Sequence, residues 1–292
     1  ARPHPLRVWG LAIRPATLWA SVVPVGVGSA LAAADGAFRP GPAAAALGGG
    51  LLIQIATNLY NDAADFARGA DTEARLGPAR AAQKGWLSRR ALLAGTTAAL
   101  LAALLLGLYL TAVAGWPILV LGLLSLGCAL AYSGGPWPLA YVGLGDLFVL
   151  LFFGGFATAG TYYVQALTLT PTVALASLSL GLLATAILVV NNLRDRHTDA
   201  RCGKRTLAVR WGERFARTEY LACLAGAYLA AAAAAHAARA PALLAPWLTL
   251  PLAFLLARAV AREDGAALNR RLGQTALLQL AFGALFSVGA LW

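Results

Sequence analysis

The sequence predicts an all-α membrane protein of about nine transmembrane helices. Three observations carry that prediction. Of 292 residues, 60% are hydrophobic and 12% are charged, with a mean hydropathy of +0.69; soluble domains carry about 25% charged residues. Runs of close to 20 apolar residues, the length that crosses about 30 Å of hydrocarbon, recur from end to end. The basic residues gather in alternate connections between those runs, the pattern that sets orientation in a membrane.

Taken in order, the runs are 15–34, 43–62, 91–113, 116–132, 144–166, 172–193, 218–237, 241–260 and 274–292. Turn-forming residues separate them: Asp35-Gly36 with Pro40 and Pro42, Gly115-Trp116-Pro117, Gly134-Gly135-Pro136, Thr168 to Pro171, and Ala240-Pro241. Of the 23 Lys and Arg, only Arg39 and Arg239 fall outside the N-terminus and the second, fourth, sixth and eighth connections. The positive-inside rule then places the N-terminus and those connections in the cytoplasm and the C-terminus outside, in a bacterial inner membrane. A net charge of +11 would point to nucleic acid in a soluble chain. Here the charges sit where topology needs them, and no nucleic-acid partner is expected. Cys128, Cys202 and Cys223 have neither pairing nor metal spacing and read as small hydrophobes or free thiols. No cleavable signal peptide is read at the N-terminus.

The acidic residues follow the same side, with Asp35 the exception, although the positive-inside rule is largely blind to Asp and Glu. They concentrate at two helix ends. The second run passes without a break into NLYNDAADFARGAD, where Asn58, Asn61, Asp62 and Asp65 share one helical face at i, i+3, i+4 and i+7 and Asp71 follows. A charge at the centre of a membrane helix costs roughly 2.5–3.5 kcal/mol even on lenient scales, so such a cluster needs a cation. The sixth run ends alike, in NNLRDRHTDARCGKR: Asn192, Asp195 and Asp199 share a face, with His197 pointing away from it. A basic loop follows each motif. The chain thus reads as one domain, 1–292, of two pseudo-repeated halves with aspartate motifs near 58–71 and 191–204.

Carboxylates beside Asn suit a hard, oxygen-preferring cation; Mg²⁺ takes one or two carboxylates and completes its shell with water and phosphate oxygens. Arg and Lys in the adjoining loops add charge-assisted hydrogen bonds to phosphate. The pattern describes a diphosphate site at the membrane boundary, with the helix bundle free to house a lipid tail. A prenyl diphosphate satisfies both halves.

These residues resemble the UbiA-type intramembrane aromatic prenyltransferases, whose motif is Asn-Asp-x-x-Asp-x-x-x-Asp with a second aspartate-rich motif about half the protein later. Asn61, Asp62 and Asp65 match the first places, and Asp71 arrives two residues late, after Gly69. The chain is also similar to the menaquinone branch of that family. It carries Arg75, Gly77-Pro78-Ala79-Arg80-Ala81 and Gln83 after the first motif, GKRTLAVR after the second, and YSGGP and GLGDLF…GTYYVQ between them. The resemblance implies nine helices around a central cavity and Mg²⁺-dependent transfer of a polyprenyl group to 1,4-dihydroxy-2-naphthoate, with loss of CO₂, giving demethylmenaquinone. Two Mg²⁺ ions would bridge the diphosphate, held by Asp62, Asp65, Asp71, Asp195 and Asp199. Asp62, Asp65, Asp195, Asp199 and Lys204 would carry catalysis, with Lys204 stabilising charge on the leaving oxygens.

Several residues keep two readings. Asn58, Asn61 and Asn192 either touch metal or phosphate or brace the carboxylates. Arg80, Lys84 and Arg201 either contact phosphate or serve topology. Asp146 caps the fifth helix or orients the naphthoate. Tyr132, Tyr162 and Tyr163 line the prenyl path or sit at the interface. Gln54, one turn before Asn58, contacts substrate or joins helices. The rival functions are a cation-coupled transporter, a lipid phosphotransferase, and a prenyltransferase for 4-hydroxybenzoate, homogentisate or a chlorin. Transporters set carboxylates near the midplane on broken helices, and paired phosphotransferase motifs lie close in sequence.

Overall fold

The computed structural model describes residues 4–69 and 76–292. All regular structure among them is helical: α1 Pro5–Ile13, α2 Pro15–Ala34, α3 Pro40–Ala67, α4 Arg89–Ala114, α5 Trp116–Ala131, α6 Gly145–Ala166, α7 Pro171–Arg201, α8 Leu207–Arg210, α9 Gly212–Ala238, α10 Pro241–Val260 and α11 Gly265–Leu291. Eight of these helices are long and apolar enough to cross a membrane, and the protein is an integral membrane protein. The ninth expected span, α5, is apolar but has 16 residues, about 24 Å at 1.5 Å per residue.

Local chemistry explains most helix starts. Pro15 and Pro171 occupy first-turn positions where the missing N–H costs nothing. Ser88 and Thr170 cap α4 and α7 by accepting from the amides of Ala91 and Val173. The two motif helices are the longest. At 28 and 31 residues, α3 and α7 reach roughly 42 and 46 Å, well past the hydrocarbon. Their aspartates therefore ride on regular helix, beyond the boundaries drawn from hydropathy alone. Gly69 and Gly203 then turn the chain at positive φ, +69° and +74°.

The helices pack in a ring. α7 lies against α6, α9 and α11; α2 joins α11 to α3; α4 and α5 follow on α3. A close crossing is that of α6 on α7, where Gly154 and Gly181 let the backbones touch. A Cβ on Gly181 would lie 2.7 Å from the Leu150 carbonyl oxygen. Around this crossing α6 widens into π-helical turns over Leu150–Ala159, a geometry that turns up at functional sites. The densest apolar core gathers α2, α7, α9, α10 and α11 around Leu180, Leu183, Tyr220, Phe282 and Phe286. The opposite half of the ring, α2 to α6, is left partly hollow.

Candidate active site

Both acidic helix ends arrive at the same end of the bundle and are joined there by a loop residue, Tyr141. Its hydroxyl donates to Asp65 Oδ1 at 3.0 Å. Its ring lies 5.2 Å from the Arg68 guanidinium carbon and 5.7 Å from Lys204 Nζ, both within cation–π range. Lys204 Nζ is 3.7 Å from Asp199 Oδ1, and the Arg205 amide donates to the Tyr141 carbonyl. The path from Asp65 through Tyr141 and Lys204 to Asp199 thus links motifs about 130 residues apart in sequence. Burial and the neighbouring Asp65 carboxylate push the Tyr141 phenol well above its usual range, so it is a hydrogen-bond donor at neutral pH. Arg68 fixes the same loop by donating to the carbonyls of Ser133 and Gly135.

Each carboxylate is engaged. Asp62, almost fully buried, accepts from the backbone amides of Ala81 and Ala82 at 2.8 and 3.2 Å. It pins the Gly-Pro-Ala-Arg loop to α3. Asp65 pairs with the buried Arg80, Nη2 to Oδ2 at 3.1 Å. Asp195 takes a fork from its neighbour Arg194, with Nε at 2.7 Å and Nη2 at 2.5 Å. Arg194 also reaches Asn191 and, on α11, Asn269, whose amide donates to the Leu76 carbonyl. Asp71 lies outside the described residues.

The donor set can be tested for a cation. Among the described residues no three His, Cys, Asp or Glu side chains converge as in an all-protein cage. The donors on offer are oxygens: carboxylates on both helix ends and, one turn before Asp65, Asn61 Oδ1, which is buried with no hydrogen-bond partner among the described residues. Two or three oxygen ligands with the rest of the shell left to water and phosphate is the habit of Mg²⁺. The residues fit that ion and do not suit a metal preferring His or Cys.

The remaining expectations divide. Tyr132, Asp146 and Asn192 come together with Ala140, Gly143, Gly145 and Thr206 around a pocket of about 10 Å³. Gln54 lines the large cavity, with its Nε2 3.4 Å from Thr17 Oγ1. Asn58 is a brace: its Nδ2 donates to the Ile13 carbonyl and to Thr17 Oγ1, tying α3 to α1 and α2. Lys84 and Arg201 lie exposed at the same end; His197, which the sequence suggests is a loop residue, is exposed but lies on α7. The reading of Tyr162 needs correction. Its hydroxyl donates at 2.5 Å to Asp35 at the far end of the bundle, and it does not line the cavity. Neighbouring Thr161 and Val164 do, while Tyr163 packs beside Ala45, Leu110 and Val164. Nor does Asp146 cap α6, whose N-cap position is Leu144 without any side-chain cap.

That cavity, about 180 Å³, runs between α2, α3, α4, α5 and α6 from Gln54 toward Val164 and is almost wholly apolar. Sequence reasoning missed three groups here. Tyr141 carried no signal beyond the GLGD neighbourhood. Arg194 looked like one more basic loop residue. Phe152, Phe153 and Phe156 line the cavity with aromatic faces, Phe152 against Phe156 at 4.7 Å; their apolar run hid them.

Comparison with known proteins agrees with this geometry. Residues 21–284 match the UbiA prenyltransferase family. The 1,4-dihydroxy-2-naphthoate octaprenyltransferase of Escherichia coli (strain K12) is 39% identical over 97% of this chain and 94% of its own length. The UbiA prenyltransferase domain-containing protein 1 of Homo sapiens is 32% identical over 96% of this chain and 82% of its own. Among solved structures, the apo UbiA homolog from Aeropyrum pernix K1 superposes with a TM-score of 0.72 at 20% identity, covering 95% of this chain and 98% of that one. The UbiA homolog from Archaeoglobus fulgidus bound to GPP and Mg²⁺ gives 0.66 at 17%, covering 96% and 99%. On the family match over most of its length and on these identities, the chain belongs to the UbiA prenyltransferase family.

Proposed function

We propose that the protein transfers a polyprenyl group from its diphosphate to 1,4-dihydroxy-2-naphthoate, with loss of CO₂, giving the prenylated naphthoquinol, the reduced form of demethylmenaquinone. The observation that carries this reading is the union of two aspartate helix ends, with their arginines and Lys204, beside an apolar cavity walled by phenylalanines. The naphthoate octaprenyltransferases of E. coli and of Haemophilus influenzae, 39% and 35% identical over nearly the whole chain, support the choice of acceptor.

Asp65, Asp195 and Asp199, with Asn61, would hold Mg²⁺. Bound Mg²⁺ supplies Lewis-acid neutralisation of the departing diphosphate. Asp62 acts through the loop it pins, which presents Arg80. Arg80 and Lys204 place positive charge where the leaving oxygens develop negative charge, with Lys84 and Arg201 at the rim. The prenyl tail lies in the α2–α6 cavity. There the ring faces of Phe152, Phe153 and Phe156 stabilise allylic cation character, and the apolar walls keep water from capturing it. The bundle end bearing the aspartates faces the cytoplasm of a bacterial inner membrane, because the basic connections lie there.

The test is a membrane assay with labelled prenyl diphosphate, the naphthoate and a panel of other acceptors, with and without EDTA. Transfer that ignores EDTA or proceeds equally with every acceptor overturns the reading. Asp65→Ala and Asp195→Ala are expected to lower turnover by ~10²–10³-fold, the scale of losing a dominant electrostatic contribution, while the protein still inserts.

A further inference from the structure

The small polar pocket behind Tyr132 differs in kind from the prenyl cavity. At about 10 Å³ it has room for one water-sized group and no more. Asp146 lines it and is 6% exposed, yet its Oδ1 is buried without a hydrogen-bond partner among the described residues. A neighbouring hydroxyl does not serve it: Thr185 Oγ1 is directed to the backbone carbonyls of Asp146 and Gly181. Leaving a buried acceptor unmet costs about 1–3 kcal/mol, more when it is charged. Such a group is retained where a ligand donates to it. The pocket lies beside the diphosphate site: Gly143 and Thr206, which line it, are two residues along the chain from Tyr141 and Lys204, the partners of Asp65 and Asp199. Asn192, which also lines it, sits one turn before Asp195 on α7.

We propose that Asp146 is the proton acceptor for the aromatic substrate, a step that rests on the proposed reaction. A phenolic hydroxyl fits a one-oxygen pocket while its ring stays outside, beside Tyr132. The hydroxyl is the one at C1, next to the carboxylate-bearing carbon C2. Its O–H bond breaks, the proton goes to Asp146 Oδ1, and the oxygen electrons form C1=O as C2 bonds to the allylic carbon. The bond from that carbon to the diphosphate oxygen breaks, and the diphosphate leaves with the pair. C2 then carries both prenyl group and carboxylate beside a ketone, the arrangement of a β-keto acid. Loss of CO₂ leaves its bonding pair on C2, C1 becomes an enolate, and Asp146 returns the proton to that oxygen. The ring regains aromaticity as the quinol, and Asp146 ends as it began. No outside proton donor, oxidant or reductant is needed.

The experiment uses the full-length protein in nanodiscs with Mg²⁺ and prenyl diphosphate. Asp146→Asn is expected to lower kcat by ~10²-fold or more, the usual contribution of a general base. Its KM for prenyl diphosphate and its Mg²⁺-dependent binding of labelled diphosphate should stay within about threefold of wild type, because the variant leaves the phosphate machinery intact. The wild type should prenylate 1-hydroxy-4-methoxy-2-naphthoate and fail on 1-methoxy-4-hydroxy-2-naphthoate. Near-normal turnover by the variant, or equal use of both ethers, overturns the proposal. A variant that loses diphosphate binding along with turnover also counts against it, since that marks a structural role. If the variant does not fold, the ether pair decides in the wild type. A wild type that leaves the dihydroxynaphthoate itself untouched refutes the reaction rather than the residue.

Discussion

At the residue scale the site is held by arginine–aspartate pairs and one tyrosine. Arg80 on Asp65 and Arg194 on Asp195 neutralise carboxylates that are 7% and 8% exposed, which a low-dielectric setting demands. Tyr141 works on both motifs at once, through its hydroxyl and through its ring. These functions separate by substitution. Tyr141→Phe deletes the bond to Asp65 and keeps the ring between the cations; Tyr141→Leu deletes both. A hydrogen bond to a charged group is worth about 1.5–3 kcal/mol, so kcat/KM for the prenyl diphosphate should fall roughly tenfold or more for Phe, and further for Leu. Equal kinetics for wild type and Leu would remove Tyr141 from the site. Nothing in the sequence marks this tyrosine, because its importance arises from where a loop folds, not from a spacing. The aspartates were legible for the opposite reason: four polar positions on one face of an apolar helix have no cheap structural explanation. Tyr162 was misread although the span order already put it near the Asp35 end.

At the element scale, hydropathy found every span, since burial of about 20 apolar residues is a signal each helix carries alone. It could not find the π-helical middle of α6 or the extra turns of α3 and α7, which depend on packing and on glycine stops. The α6–α7 crossing makes a sharp prediction. Gly181→Val places a Cβ against the Leu150 carbonyl oxygen and should cost about 1–3 kcal/mol, read as a lower Tm in detergent; an unchanged Tm would show that the backbones can part. The connection between α10 and α11 carries a titratable staple, Arg196 with Asp264 and Glu213. Hydrogen bonding from Arg196 draws the Asp264 carboxyl down to about 2. A depressed carboxyl stabilises above its unfolded value, near 3.9, and loses that contribution as pH falls through its folded value. The Tm gap between wild type and Asp264→Asn should hold from neutral pH to about 4 and close toward pH 2. The gap will be small, because Asp264 is about half exposed.

At the scale of the whole molecule, two halves of a ring do different work. The dense α7–α9–α10–α11 side is a scaffold, and the hollow α2–α6 side holds the cavity. Orientation is the property that hydropathy and charge predict together. In cells, Arg39→Cys and Arg239→Cys should react with a membrane-impermeant maleimide from outside, and Arg89→Cys should not. The reverse labelling would invert the proposed topology and move the aspartates to the outer face.

The arginine pairing also bears on biogenesis. The chain enters the membrane from its N-terminus, and the site is not complete until α11 brings Asn269 to the Leu76 carbonyl, 193 residues away in sequence. Until then each aspartate motif must wait in or near the bilayer without the other. Asp195 has its arginine, Arg194, as the residue just before it, and Asp65 has one 15 residues on. Each half of the site therefore leaves the ribosome with its own counter-ion and can be inserted as a neutral package long before the halves meet.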